Sequence, residues 1–117
     1  MVANIEQAIS YAIMLKSKFA RKKTIEGYTW VSKIFFSWLK ENYLQYTDPN
    51  DFTSKYAHQF MDQLLIERNY APKSFNNILI FMRGFFNLLI DKEIVTNNPF
   101  KSIKKLPVAK GNSAAIS

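Results

Sequence analysis

At 117 residues the chain has room for one domain and not comfortably for two. Its 48% hydrophobic and 15% aromatic content supplies a core and excludes a disordered chain. The absence of cysteine excludes a disulfide framework, a thiolate zinc site and a cysteine nucleophile. A formal charge of +7 with a pI near 9.7 points to an anionic partner or to simple solubility.

A first helix is predicted from Ile5 to about Ala20, capped by Asn4. Its apolar stripe is Ile5, Ala8, Ile9, Ala12, Ile13 and Phe19. The helix runs into a basic cluster of Lys16, Lys18, Arg21, Lys22 and Lys23. Cations at a helix C-terminus complement its dipole. They also suit phosphate contact, so both readings stand. Thr24 is the expected cap of a second helix, to about Tyr43, with Tyr28, Val31, Phe35, Trp38 and Leu39 on the core side. Glu26, Thr29, Trp30, Lys33, Ser37 and Lys40 fall on the other side.

The segment Gln45 to Phe52 has turn chemistry in Asp48, Pro49 and Asn50. Thr53 then caps a third helix, to about Asn69, with Phe52 as a staple residue and Tyr56, Ala57, Phe60, Met61, Leu64 and Leu65 as its stripe. A long fourth helix opens at Pro72, with Ser74 as a second candidate cap, and frays between Asp91 and Val95. Phe75, Ile78, Leu79, Met82, Phe85, Phe86 and Leu89 form one apolar arc. The opposite arc carries Lys73, Asn76, Asn77, Arg83, Gly84, Asn87 and Asp91, with Ile80 as the exception. Lys73, Asn76 and Asn77 lie within one turn near the start. Lysine can bond guanine acceptors or phosphate, and asparagine can bond adenine bidentately. Asn98 before Pro99 marks a stop, and Pro99 opens a short fifth helix from Phe100 to about Leu106.

The charge pattern gives basic ends and an acidic middle. Glu41 to Glu67 is mostly acidic, whereas Lys101, Lys104, Lys105 and Lys110 follow Glu93 with no acid among them. One face toward a polyanion and one away is the expected result. Ala8 to Leu15 is apolar but too short to span a membrane, and it follows Glu6 rather than a basic flank. No catalytic grouping assembles from the sequence. His58 is the single histidine, and GxxxxGK[ST], GxGxxG and GxSxG are all missing.

The order of segments resembles the N-terminal core-binding domain of tyrosine recombinases, the phage-integrase group, in its SAM-like helical form. It is carried by the basic run, Thr24-x-x-x-Tyr28, Phe35-x-x-Trp38-Leu39, Phe60-x-x-x-Leu64, Lys73-Ser74-x-Asn76-Asn77 and Asn98-Pro99-Phe100, over roughly residues 4 to 106. The spellings FMDQLLIERNYAPKSFNNIL and NNPFKSIKKL look most like integrases of Bacteroides-type mobile elements. The resemblance implies an all-α fold: a compact bundle of four amphipathic helices plus a short C-terminal fifth. It divides the chain into a core-binding domain, 1–106, and the start of an interdomain linker or disordered tail, 107–117.

In that family the core-binding domain clamps one face of duplex DNA through its second and fourth helices. A separate domain carries the nucleophilic tyrosine, so the resemblance implies that this chain is not itself an enzyme. Implied DNA contacts are Lys73, Ser74, Asn76 and Asn77 on the fourth helix. On the second they are Lys22, Lys23, Thr24, Trp30 and Lys33, with Glu26 and Gly27 as departures from the expected cationic face. Lys101, Lys104 and Lys105 flank the linker as phosphate contacts. The implied partners are double-stranded DNA and other recombinase protomers in a synaptic complex. No cofactor, metal, membrane or small-molecule substrate is implied, and the expected location is the bacterial cytoplasm, at the nucleoid. A stand-alone helical protein-interaction module is the alternative, with Phe36, Phe81, Tyr43 and Tyr46 as a docking surface.

Overall fold

The apolar stripes form helices because each must bury against another, and the fourth stripe is the one the others share. The computed structural model describes residues 2–108. It contains α1 (Ile5–Ser17), α2 (Lys22–Glu41), α3 (Ser54–Ile66) and α4 (Pro72–Asp91), with one 3-10 turn at Pro49–Asp51 and no strand among the described residues. α4 packs against all three other helices. Every residue of its expected apolar arc, from Phe75 to Leu89, is buried. So are the five expected core positions of α2, joined by Ile34.

Local chemistry sets the ends. The Asn4 side chain accepts from Gln7 N–H at 2.9 Å, and the Gln7 side chain accepts from Ala3 N–H at 2.7 Å, a reciprocal cap for α1. Pro72 is the first residue of α4, as its missing N–H predicts. α2 and α4 close in the same way. Leu44 N–H reaches back to Leu39 O at 2.8 Å, and Ile94 N–H to Leu89 O at 2.9 Å. The residues before them, Tyr43 (φ 57°) and Glu93 (φ 59°), take the left-handed conformation that glycine usually fills. Asn69 (φ 55°) plays the corresponding part after α3.

Several expected boundaries move. α1 stops at Ser17, so Phe19 falls off its stripe into the connecting loop and is 96% exposed. Arg21, not Thr24, caps α2, because the helix begins one turn earlier and takes Thr24 into its first turn. Ala71 caps α4, which places Ser74 inside the helix. α3 ends at Ile66 rather than near Asn69.

The fifth helix is replaced by a turn at residues 99–102 and an extended strap. Lys101 N–H bonds Asn98 O and Ile103 N–H bonds Phe100 O, three-residue spacings that are not continued. The reason is that α4 side chains take the backbone groups that a helix would use, as detailed below. The strap is still anchored: Phe100 is fully buried and Ile103 is 6% exposed. Phe100 lies 5.6 Å from Phe86 and 6.2 Å from Phe52 between ring centroids. Phe52 also meets Phe35 edge-on at 5.4 Å. The expected staple residue is therefore the middle of an aromatic cluster that joins α2, α4 and the strap. Residues 109–117 of the expected linker lie outside the described residues.

Candidate nucleic-acid interface

The polar side of α4 is not one surface. At about 100° per residue, Asn76, Arg83 and Asn87 fall on one narrow stripe. Lys73, Asn77, Ile80 and Gly84 fall on a second, some 80° away. The two stripes have different partners.

The first stripe holds the strap. Asn76 Nδ2 donates to Leu106 O at 2.9 Å, and its Oδ1 accepts from Leu106 N–H at 2.8 Å. Arg83 Nε donates to Phe100 O at 3.2 Å, and its Nη2 donates to Ile103 O. Asn98 Nδ2 donates to Arg83 O at 3.0 Å and to Asn87 Oδ1 at 2.9 Å. The strap thus runs antiparallel to α4, from Asn87 back to Asn76. Asn76 was expected to face outward and read a base. Instead it is 9% exposed, with its amide oxygen and nitrogen both bonded to one backbone residue. It leaves the set of candidate contacts.

The second stripe is open. Lys73 and Asn77 are exposed, Ser74 is half-buried beside them, and Ile80 is 46% exposed. It is flanked on both sides. On one side, Leu106 is held at Asn76, which places Lys104 and Lys105, both exposed, next to the first turns of α4. On the other, Phe81 packs edge-on against Tyr28 of α2 at 5.4 Å. A Cβ on Gly27 would stand 3.0 Å from the Phe81 ring. The glycine that looked like a gap in a DNA-reading helix is what lets α2 approach α4 this closely.

The other expected α2 residues sort by depth. Lys22 and Lys23 are exposed in the first turn, and Thr24 is half-buried. Trp30 is 40% exposed, its ring 6.3 Å from Tyr70, just ahead of α4. Lys33 is exposed one turn further on, and Glu26 is exposed among these cations. Lys101 separates from the other two strap lysines. It lines a cleft with Arg83, Asn87 and Asn97 near the far end of the strap.

Sequence reasoning passed over Lys16 as a site residue. Its Cε lies 3.4 Å, and its Nζ 3.6 Å, from where a Cβ on Gly84 would be. The ammonium of α1 therefore lies over the open stripe of α4, in line with Lys73, Asn77 and Ile80. Only Gly84, set in that polar arc, hinted that a neighbour might come so near. The expected aromatic docking surface divides as well. Phe36 and Phe81 are half-buried against the core, whereas Tyr43 and Tyr46 are 91% and 80% exposed in the loop after α2.

No helix among the described residues is long and apolar enough to cross a membrane. A family model described as phage integrase, N-terminal SAM-like domain, matches residues 9–96. Comparison with curated proteins and with solved structures gives no match.

Proposed function

The chain belongs to the phage-integrase N-terminal SAM-like domain family, whose role lies in site-specific recombination, and on that premise we propose that it grips duplex DNA with the open stripe of α4. This SAM-like domain is the non-catalytic part of integrases, with DNA and other protomers as its partners in general. Bond breaking is assigned to a separate tyrosine-bearing domain, and this chain supplies binding and position.

The observation that carries the reading is the alignment of Lys73, Asn77, Ile80 and Lys16 along one exposed strip of α4, with Lys104 and Lys105 at its border. Asn77 has the donor–acceptor pair for an adenine edge, and exposed Ile80 offers an apolar contact for a thymine methyl. Lys16, Lys73, Lys104 and Lys105 neutralise phosphates and fix register without reading sequence. α2 contributes Lys22, Lys23 and Lys33, with Thr24 and Ser74 as short hydroxyl contacts. Trp30 borders this surface. Lys101, in its separate cleft, meets a more distant phosphate.

The test is affinity for a duplex of about 30 base pairs, measured against salt. Each lysine that neutralises a phosphate adds about 0.9 to the slope of log affinity on log salt. Lys73→Ala is expected to lower that slope by about one, and Lys104→Ala with Lys105→Ala by about two. Asn77→Ala is expected to leave the slope alone and flatten the preference among sequences. A parent protein with no salt dependence, or a Lys73→Ala protein with unchanged affinity and slope, overturns the reading.

The protein-interaction alternative draws on Tyr43 and Tyr46, exposed at the opposite end of α2 from Lys22 and Lys23. It uses a different surface, and contact with other protomers there is compatible with DNA on α4.

A further inference from the structure

Phe19 has the largest fractional exposure of the large apolar side chains described, at 96%, and nothing in the fold accounts for it. It stands at the tip of the loop between α1 and α2, where Phe19 N–H bonds Lys16 O at 3.3 Å and the chain then turns into Arg21. An apolar groove floored by Tyr28 and Leu88 lies beside it, yet the ring stays in solvent. Its chain neighbours Lys18, Arg21, Lys22 and Lys23 are all exposed cations. No acidic residue occurs between Glu6 and Glu26. Lys16 ties this corner to the open stripe of α4, because its ammonium rests over Gly84.

The geometry points to Phe19 as a wedge that enters a base step of the same duplex, while the surrounding cations hold the phosphates on either side. The inference rests on the duplex-DNA reading above and adds to it a deformation of the duplex. The ligand of this loop must be apolar at its centre and anionic around it. A partly unstacked base step between two phosphate walls has that pattern, and apolar side chains flanked by cations are the usual means of kinking DNA from the minor groove. Pyrimidine–purine steps unstack with least cost, so a TA or CA step is the expected place. A lipid headgroup layer shares the pattern in outline. The continuity from Lys16 onto the α4 strip favours the duplex.

The experiment uses the full 117-residue chain and a duplex of about 30 base pairs with 2-aminopurine beside a central TA step and a dye at each end. The parent protein is expected to raise the 2-aminopurine signal and shorten the end-to-end distance. Phe19→Ala is expected to abolish both and to weaken binding by about tenfold, since unstacking is worth a few kcal/mol per step. Its salt slope should stay that of the parent, because no charge is lost. Phe19→Leu should keep part of both signals. Full exposure of the ring means that Phe19→Ala should melt with the parent.

Two results overturn the wedge and leave the DNA reading intact. One is a parent that binds duplex without a 2-aminopurine change. The other is a Phe19→Ala protein with parent-like signal and bend. Binding of the parent to phosphatidylglycerol vesicles that depends on Phe19, with no bend in duplex, reassigns the loop to lipid. A parent that does not bind duplex at all removes both proposals together.

Discussion

Asn76→Ala separates a structural asparagine from a base-reading one. In the folded protein Asn76 makes two hydrogen bonds to the backbone of Leu106, at 2.9 and 2.8 Å, and is 9% exposed. A typical intramolecular hydrogen bond contributes about 1 kcal/mol net, so removing both costs about 2 kcal/mol. Leu106 is only half-buried, so water can reach its freed N–H and C=O once the strap lifts, which keeps the cost near that figure. Two outcomes follow from it. The midpoint of thermal unfolding falls by about 8 °C for a domain of this size. The Leu106 amide, protected in the parent, exchanges with deuterium about thirtyfold faster, because the strap opens about 2 kcal/mol more easily. Asn76→Asp is a sharper form of the same test. It keeps the acceptor for Leu106 N–H but turns an anionic oxygen toward Leu106 O, and it is expected to lose at least as much. Urea titration and amide exchange measure both variants. If Asn76→Ala changes stability by less than about 0.3 kcal/mol and instead shifts preference among DNA sequences, the clamp assignment is wrong.

Two further substitutions probe the same architecture. Phe100→Ala removes a fully buried ring from the aromatic cluster with Phe52, Phe60 and Phe86, and is expected to cost about 3–5 kcal/mol by urea denaturation; a loss under about 1 kcal/mol would mean the strap is not part of the fold. Tyr43→Gly relieves a left-handed backbone at a residue 91% exposed, so little packing is lost. The relief of about 1 kcal/mol outweighs most of the extra unfolded-state freedom of glycine, and a gain of about 0.5 kcal/mol is expected; a lower urea midpoint than Tyr43→Ala would contradict this.

The helices were legible because each carries a period that only a helix places on one side. The fourth apolar arc, Phe75 to Leu89, is buried at every expected position, and the turn chemistry of Asp48-Pro49-Asn50 marks the loop where it occurs. The errors collect at boundaries, where local signals compete. Thr24 has cap chemistry, but Lys22 and Lys23 already have helical geometry, so the cap passes to Arg21. Phe19 fits the period of α1 but lies past its last turn, and a residue two places beyond a helix no longer shares its face. Phe100 to Leu106 has the composition of a short helix. What prevents one is tertiary: Asn76 and Arg83 bond the strap backbone from outside, and a segment this short has little helical stability of its own to set against them.

The candidate site was legible only in part, for a reason that lies in the chemistry of polar side chains. Periodicity distinguishes a side that faces a core from one that does not, because burial selects for apolar atoms. It does not distinguish among the polar alternatives. Asn76 and Asn77 are adjacent in sequence and identical in composition, yet one has its amide closed around Leu106 and the other is open to solvent. A free backbone strand and an adenine edge both present a donor beside an acceptor, and an asparagine suits either. What assigned them was the path of the strap, which depends on Phe100 finding the aromatic cluster some twenty-four residues beyond Asn76. Lys73 and Lys16 differ in the same sense. Both read as exposed cations, but only the missing side chain of Gly84 allows Lys16 to lie along the strip that Lys73 begins. The DNA reading therefore depends less on how many lysines the chain has than on which α4 stripe the strap leaves uncovered. If the strap covered Lys73 and Asn77 instead, the same composition and the same net charge would leave no cationic strip on α4.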